Sequence, residues 1–141
     1  MPSKSRPHAS APLSCDDPAT FSKLTDAEQH AIKLWISFAI RPAKTKHWSS
    51  SYGLKHHLER DTRNYFTNGQ FKGAMLAKGY DPVDPWAKNW RFRIRPASRL
   101  DSLKHGDFNI NHLSETERQE LKHAFELAYA AWKDCHRDGA A

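Results

Sequence analysis

Trp90-Arg91-Phe92-Arg93-Ile94-Arg95 alternates large apolar side chains with arginine without exception. Successive side chains of a strand point to opposite faces, so this stretch offers one wholly apolar face and one made of guanidinium groups. The apolar face calls for a core beneath it. The arginines then look at solvent or at a partner, or else guard an edge strand against aggregation. The segments on either side read as helix, so the expected fold class is mainly α with a small β-hairpin, an α+β arrangement.

Two longer helices frame this centre. The first opens at Thr25, whose hydroxyl can cap the amides while Glu28 completes a capping box, and Leu24, Ala27, Ala31, Leu34, Trp35 and Phe38 recur at helical steps. Arg41-Pro42 ends it. The last helix opens in the same way at Ser114 and Glu117, and its stripe is Leu121, Ala124, Phe125, Ala128, Trp132 and Cys135. These two are expected to pack as a scaffold, with Cys135 a small core residue rather than a nucleophile. Two shorter helices lie between them. One follows Ser49-Ser50-Ser51 and carries Tyr52, Leu54, Lys55 and Leu58 to about Arg60; the next starts at Thr67 or Asn68 and carries Phe71, Ala74 and Met75. Gly79 supplies a left-handed stop, and Asp81-Pro82-Val83-Asp84-Pro85 a turn-rich excursion before the strand.

A chain of 141 residues holds one modest core. Residues 1–20 are rich in Pro, Ser, Ala and basic groups and are expected to form a disordered basic arm; 21–135 a single helical domain with the hairpin; and 136–141 a flexible tail. Twenty-two Lys and Arg against sixteen Asp and Glu give a formal charge of +6, which favours a polyanion or an acidic protein surface, or simply keeps the protein in solution. The sequence shows neither a membrane-spanning apolar run nor a secretory h-region. Two isolated cysteines make neither a disulfide framework nor a zinc pattern, so a reducing cytoplasm is the expected setting.

The order helix, turn through Asn64-Tyr65-Phe66, helix, Gly79-Tyr80, Pro-rich loop, basic strand resembles a winged helix-turn-helix. That resemblance covers residues 52–95, a winged-helix-like centre between the two scaffold helices. It implies that the helix at 68–78 enters the major groove of double-stranded DNA, with Asn68, Gln70, Lys72, Gly73 and Lys78 facing the bases, while a wing from about Tyr80 to Arg95 touches the backbone. Arg91, Arg93 and Arg95 would then sit on phosphates, with Lys55, Arg60 and Arg63 in support from the flank. The supposed recognition helix carries no arginine, so bidentate reading of guanine is not open to it. Tyr52-Gly53-Leu54-Lys55-His56, Asn68-Gly69-Gln70-Phe71 and Ala74-Met75 with Gly79-Tyr80 also resemble small proteins of phages and other mobile elements. That likeness implies an alternative, an inhibitor that binds a host defence complex in the manner of an anti-CRISPR protein.

Catalytic motifs are missing from the sequence: no nucleophile elbow, Walker loop or His-Glu-x-x-His helix occurs, and the expectation is a binding protein rather than an enzyme. Nine histidines invite a metal reading, yet His56 and His57 diverge by about 100° on a helix, and His105 and His112 near Asp107 lack ligand spacing; neither a metal nor a cofactor is expected. The aromatic residues Trp48, Tyr52, Tyr65, Trp86 and Trp90 are candidate stacking platforms for single-stranded bases, although most are expected in the core. Trp86, on the Pro-rich loop, is the candidate for contact with a partner. That partner is nucleic acid, DNA in the leading reading, or an acidic or nucleic-acid-binding host protein.

Overall fold

The computed structural model describes residues 14–44, 49–97 and 113–140. After a 3-10 helix, Pro18–Lys23, the elements are α1 (Asp26–Ala39), β1 (Ile40–Pro42), α2 (Ser51–Thr62), α3 (Asn68–Ala77), β2 (Ile94–Pro96) and α4 (Glu115–Ala140). The fold is mainly helical, with one antiparallel two-stranded sheet among the described residues. No helix among the described residues is long and apolar enough to cross a membrane.

Among the described residues, local sequence determines where three of the four α-helices begin. Thr25 accepts from the Glu28 amide while the Glu28 carboxylate takes the Thr25 amide. Thr67 and Gln70 repeat the exchange at α3, and Ser114 and Glu117 at α4. Each box satisfies two of the amides that a helix start leaves open. Helix α2 uses the simpler cap, Ser50 Oγ accepting from the Gly53 amide at 3.2 Å.

As expected, α1 and α4 pack together. Helix α1 also meets α3, so it is covered on two sides, and its core face is broader than the single stripe. Ala31, Ile32, Trp35, Ile36 and Ala39 are buried while Leu34 and Phe38 lie half-buried at the margin. Trp35 presents an edge to Phe71, with 6.2 Å between ring centroids, and its Nε1–H donates to Asp61 Oδ2 at 2.9 Å, which ties the end of α2 to α1. Helix α4 outruns the body. Trp132 and Cys135 continue its inward stripe, yet both are exposed, so Cys135 is not the core residue that its spacing suggested.

The strand pairing differs from the expected local hairpin. Residue 95 is opposite Arg41, in the register Ile40↔Pro96, Arg41↔Arg95, Pro42↔Ile94. Across the 81–89 excursion one backbone bond forms, from the Val83 amide to the Arg91 carbonyl at 2.8 Å. Pro82 and Pro85 have no amide to donate, which denies the excursion a ladder. The other edge of the 90–97 segment is used instead, by Ser51 N to Trp90 O, Ala43 N to Arg93 O and Ala97 N to Ala39 O.

The packed unit begins earlier than residue 21, and α4 runs on past residue 135. Residues 14–20 are part of it, because Asp17 caps the 3-10 helix and that helix lies along α3. At the other end α4 continues to Ala140, through most of the expected tail. Residues 1–13 lie outside the described ones, as do Trp48, His105, Asp107 and His112. Glycine permits the close approach on α3: a Cβ on Gly73 would collide with Phe21 Cβ and the Pro18 carbonyl, and one on Gly69 with the Asp17 backbone. Gly73→Ala is therefore expected to lift 14–23 from α3 at a cost of about 1–3 kcal/mol. Hydrogen exchange should report it as lost protection of the Gly69 amide, which donates to the Cys15 carbonyl. Unchanged protection would contradict the account.

Candidate nucleic-acid interface

Burial alternates along the segment that leads into β2. Trp90, Phe92, Ile94 and Pro96 are buried, while Asn89, Arg91, Arg93 and Arg95 are exposed. The inward residues join the main core, where Trp90 and Phe92 meet edge to face at 6.2 Å. The guanidinium row is thus anchored from behind by buried rings. The strand register adds a fourth arginine, because Arg41 stands opposite Arg95 and is also exposed. Like charges directly opposed on one face repel. Arg41 is braced by donating to the carbonyls of Ser37 and Ile40. Among the described residues no carboxylate pairs with Arg41, Arg93 or Arg95.

Helix α3 does not present a reading face. Asn68 is buried; its Nδ2 donates to Asp16 Oδ1, Lys88 O and Asn89 Oδ1, and its Oδ1 accepts from Ser51 Oγ at 2.8 Å. It is a junction for α2, α3, the 88–90 segment and the N-terminal residues. Lys72 is buried as well, donating to the Asp16 carbonyl at 3.0 Å with its ammonium 4.8 Å from the centre of the Trp90 ring. Burial pushes its pKa down, against the upward pull of Asp16 and Asp17. Gln70 is held in the α3 capping box, and Gly73 lies under Phe21. Of the five residues expected in the groove, Lys78 alone is exposed, at the C-cap. Asn68, Lys72 and Gly73 are corrected for one reason, that residues 14–23 lie on the face assigned to DNA; Gln70 is half-buried and engaged with Thr67 instead.

The flanking basic residues also separate. Lys55 is buried, with Nζ 3.1 Å from Glu59 Oε2 and within 5.3 and 4.9 Å of the Tyr52 and Tyr65 ring centres. Arg63 is exposed in a left-handed conformation at the C-cap of α2, where it borders a groove of about 600 Å³ against Leu121, Phe125 and Tyr129 of α4. Arg60 approaches Asp61 at 3.9 Å. Trp86 is 93% exposed; the turn behind it is held by Asp84 Oδ1, which accepts from the Trp86 amide at 3.0 Å. Tyr52 and Tyr65 are exposed rather than core. With Lys55, Asn68, Lys88 and Asn89 they line a second cleft of about 390 Å³.

Sequence reasoning thus located the arginine row and offered Tyr52 and Tyr65 as stacking candidates, but missed Arg41 and the cleft that brings the two tyrosines together. Arg41 looked like the end of a helix, and its strand partner lies more than fifty residues away. Gln70 was identifiable in advance, since Thr67-x-x-Gln70 is itself a capping-box pattern. Comparison with family models, curated proteins and solved structures finds no match to this chain.

Proposed function

We propose that this domain binds nucleic acid by its backbone, through Arg41, Arg91, Arg93 and Arg95, and does not read bases with α3. The observation that carries the reading is the unbroken alternation from Asn89 to Pro96, which fixes a row of guanidinium groups over a buried aromatic layer. Alternate residues of a strand stand about 7 Å apart, and each planar fork can grip a phosphate with two parallel hydrogen bonds. An anionic strand laid on this face would also relieve the repulsion between Arg41 and Arg95. The net charge of +6 supplies long-range attraction of the same sign. The cytoplasm is the setting this reading implies.

The experiment is a salt titration. Binding of a labelled oligonucleotide should weaken linearly on a log–log plot, by about 0.7–0.9 per phosphate neutralised. A slope near zero, or negligible affinity at low salt, would overturn the proposal.

One observation favours a second reading, an inhibitor from a mobile element that docks on an acidic face or in the nucleic-acid channel of a host defence protein. Trp86 projects almost fully from a braced turn in the loop that leads into the arginine segment, and exposed aromatic rings of this kind anchor protein interfaces. Tight 1:1 association with a protein, with no affinity for free nucleic acid, would select this reading over the first.

A further inference from the structure

The cleft between Tyr52 and Tyr65 lies at one end of the arginine row. Asn89, which lines it, is the first outward residue of the alternation that continues through Arg91, Arg93 and Arg95. The Ser50↔Arg91 bridge holds that end of the row against the start of α2, the helix that carries Tyr52. A chain laid along the arginines therefore arrives at the cleft within one or two residues of its own length.

What the cleft offers is specific. Tyr52 and Tyr65 are 50% and 73% exposed, and both rings converge on one ammonium, that of Lys55. Lys55 is itself buried, and Glu59 is its hydrogen-bonding partner. An ammonium has three donors, so two remain for an acceptor that enters the cleft. Asn89 accepts from Asn68 through Oδ1, which leaves its amide nitrogen as a further donor. Lys88 stands at the mouth with its side chain 75% exposed and its ammonium 3.9 Å from Oδ2 of Asp16, which also lines the cleft. Planar stacking faces, a buried cation and an amide donor together match a flat heterocycle with carbonyl acceptors that is attached to a phosphate. A volume of about 390 Å³ is in the range of small-ligand sites. An acidic peptide would meet cations that Glu59 and Asp16 already pair, and would leave both rings without a stacking partner.

We infer that this cleft takes one unstacked base of a single strand, stacked on Tyr52 and Tyr65 with its carbonyl edge toward Lys55, while the adjoining phosphates run along Arg91, Arg93 and Arg95. The inference rests on the backbone reading above and deepens it. It makes the target single-stranded, since a paired base cannot enter, and tolerant of sequence, since every base has a stacking face.

The test uses the whole chain and a fluorescein-labelled oligothymidylate of about twelve residues, read by anisotropy. Tyr52→Ala and Tyr65→Ala should each weaken binding by about tenfold, and Tyr→Phe at either position should retain it within about threefold, because the ring and not the hydroxyl does the stacking. Both rings are half or more exposed and each gives the fold one cation–π contact with Lys55, worth about 1 kcal/mol, so the melting temperature should fall by only a few degrees. Irradiation of a strand carrying 5-bromouracil should give an adduct at Tyr52 or Tyr65. Alanine variants that bind as the parent does, or adducts confined to other residues, would overturn the cleft. If at the same time arginine substitutions still abolish binding, the backbone reading stands without it. A parent protein that binds no oligonucleotide overturns both, and duplex preferred over single strand overturns the cleft alone.

Discussion

Replacing Arg91, Arg93 and Arg95 together by glutamate should abolish oligonucleotide binding at physiological salt, a loss on the order of a hundredfold or more, while the fold survives. Three cations are removed and three repulsive charges stand in their place. The log–log salt slope should drop by about two units or more, because each lost phosphate contact removes its share of released counterions. The fold has good reason to tolerate the change. All three side chains are exposed, and the buried partners Trp90, Phe92 and Ile94 are untouched. Arg95→Glu even turns the opposed pair with Arg41 into an attractive one. Filter binding with parent and variant, beside a thermal melt of each, checks the result. A variant that melts like the parent and still binds like it would remove the arginine row from the function. Triple substitution by glutamine distinguishes mere loss of attraction from added repulsion, and should fall between the two.

The arginine row was legible in the sequence because period-two alternation is a local signal: a strand exposes alternate residues whatever its partner. The capping boxes at Thr25 and Ser114 were legible for the same reason, since donor and acceptor lie three residues apart. What escaped was non-local. Asn68 and Lys72 look like surface residues of a helix, and their burial is satisfied by Asp16, more than fifty positions earlier. Lys55 is buried by two tyrosines, one from α2 and one from the turn that follows. A buried polar group is tolerable once its hydrogen bonds are made, and single-sequence patterning carries no record of a distant partner. Gly69 and Gly73 did carry a trace. Two glycines in a ten-residue helix weaken it, so some neighbour had to need the space. The neighbour is the N-terminal segment rather than a nucleic-acid backbone.

The same division between local and distant effects predicts the most damaging single substitution. Trp35→Ala should destabilise the fold by about 3–5 kcal/mol, a large fraction of the roughly 5–15 kcal/mol typical of a whole domain. Trp35 is fully buried where α1, α2 and α3 meet: its ring meets Phe71 of α3, and its Nε1–H reaches Asp61 near the end of α2. Truncation therefore opens a cavity and also deprives the Asp61 carboxylate, 7% exposed, of a hydrogen-bond donor. Trp35→Phe separates the two effects. It keeps much of the volume and removes the donor, with an expected cost of about 1–3 kcal/mol. Adding Asp61→Leu to Trp35→Phe should then cost less than the sum of the single changes, because the polar pair is removed as a unit. Denaturant melts of the four proteins of that cycle measure the coupling. Strict additivity would mean that the bond between Trp35 and Asp61 contributes nothing to stability.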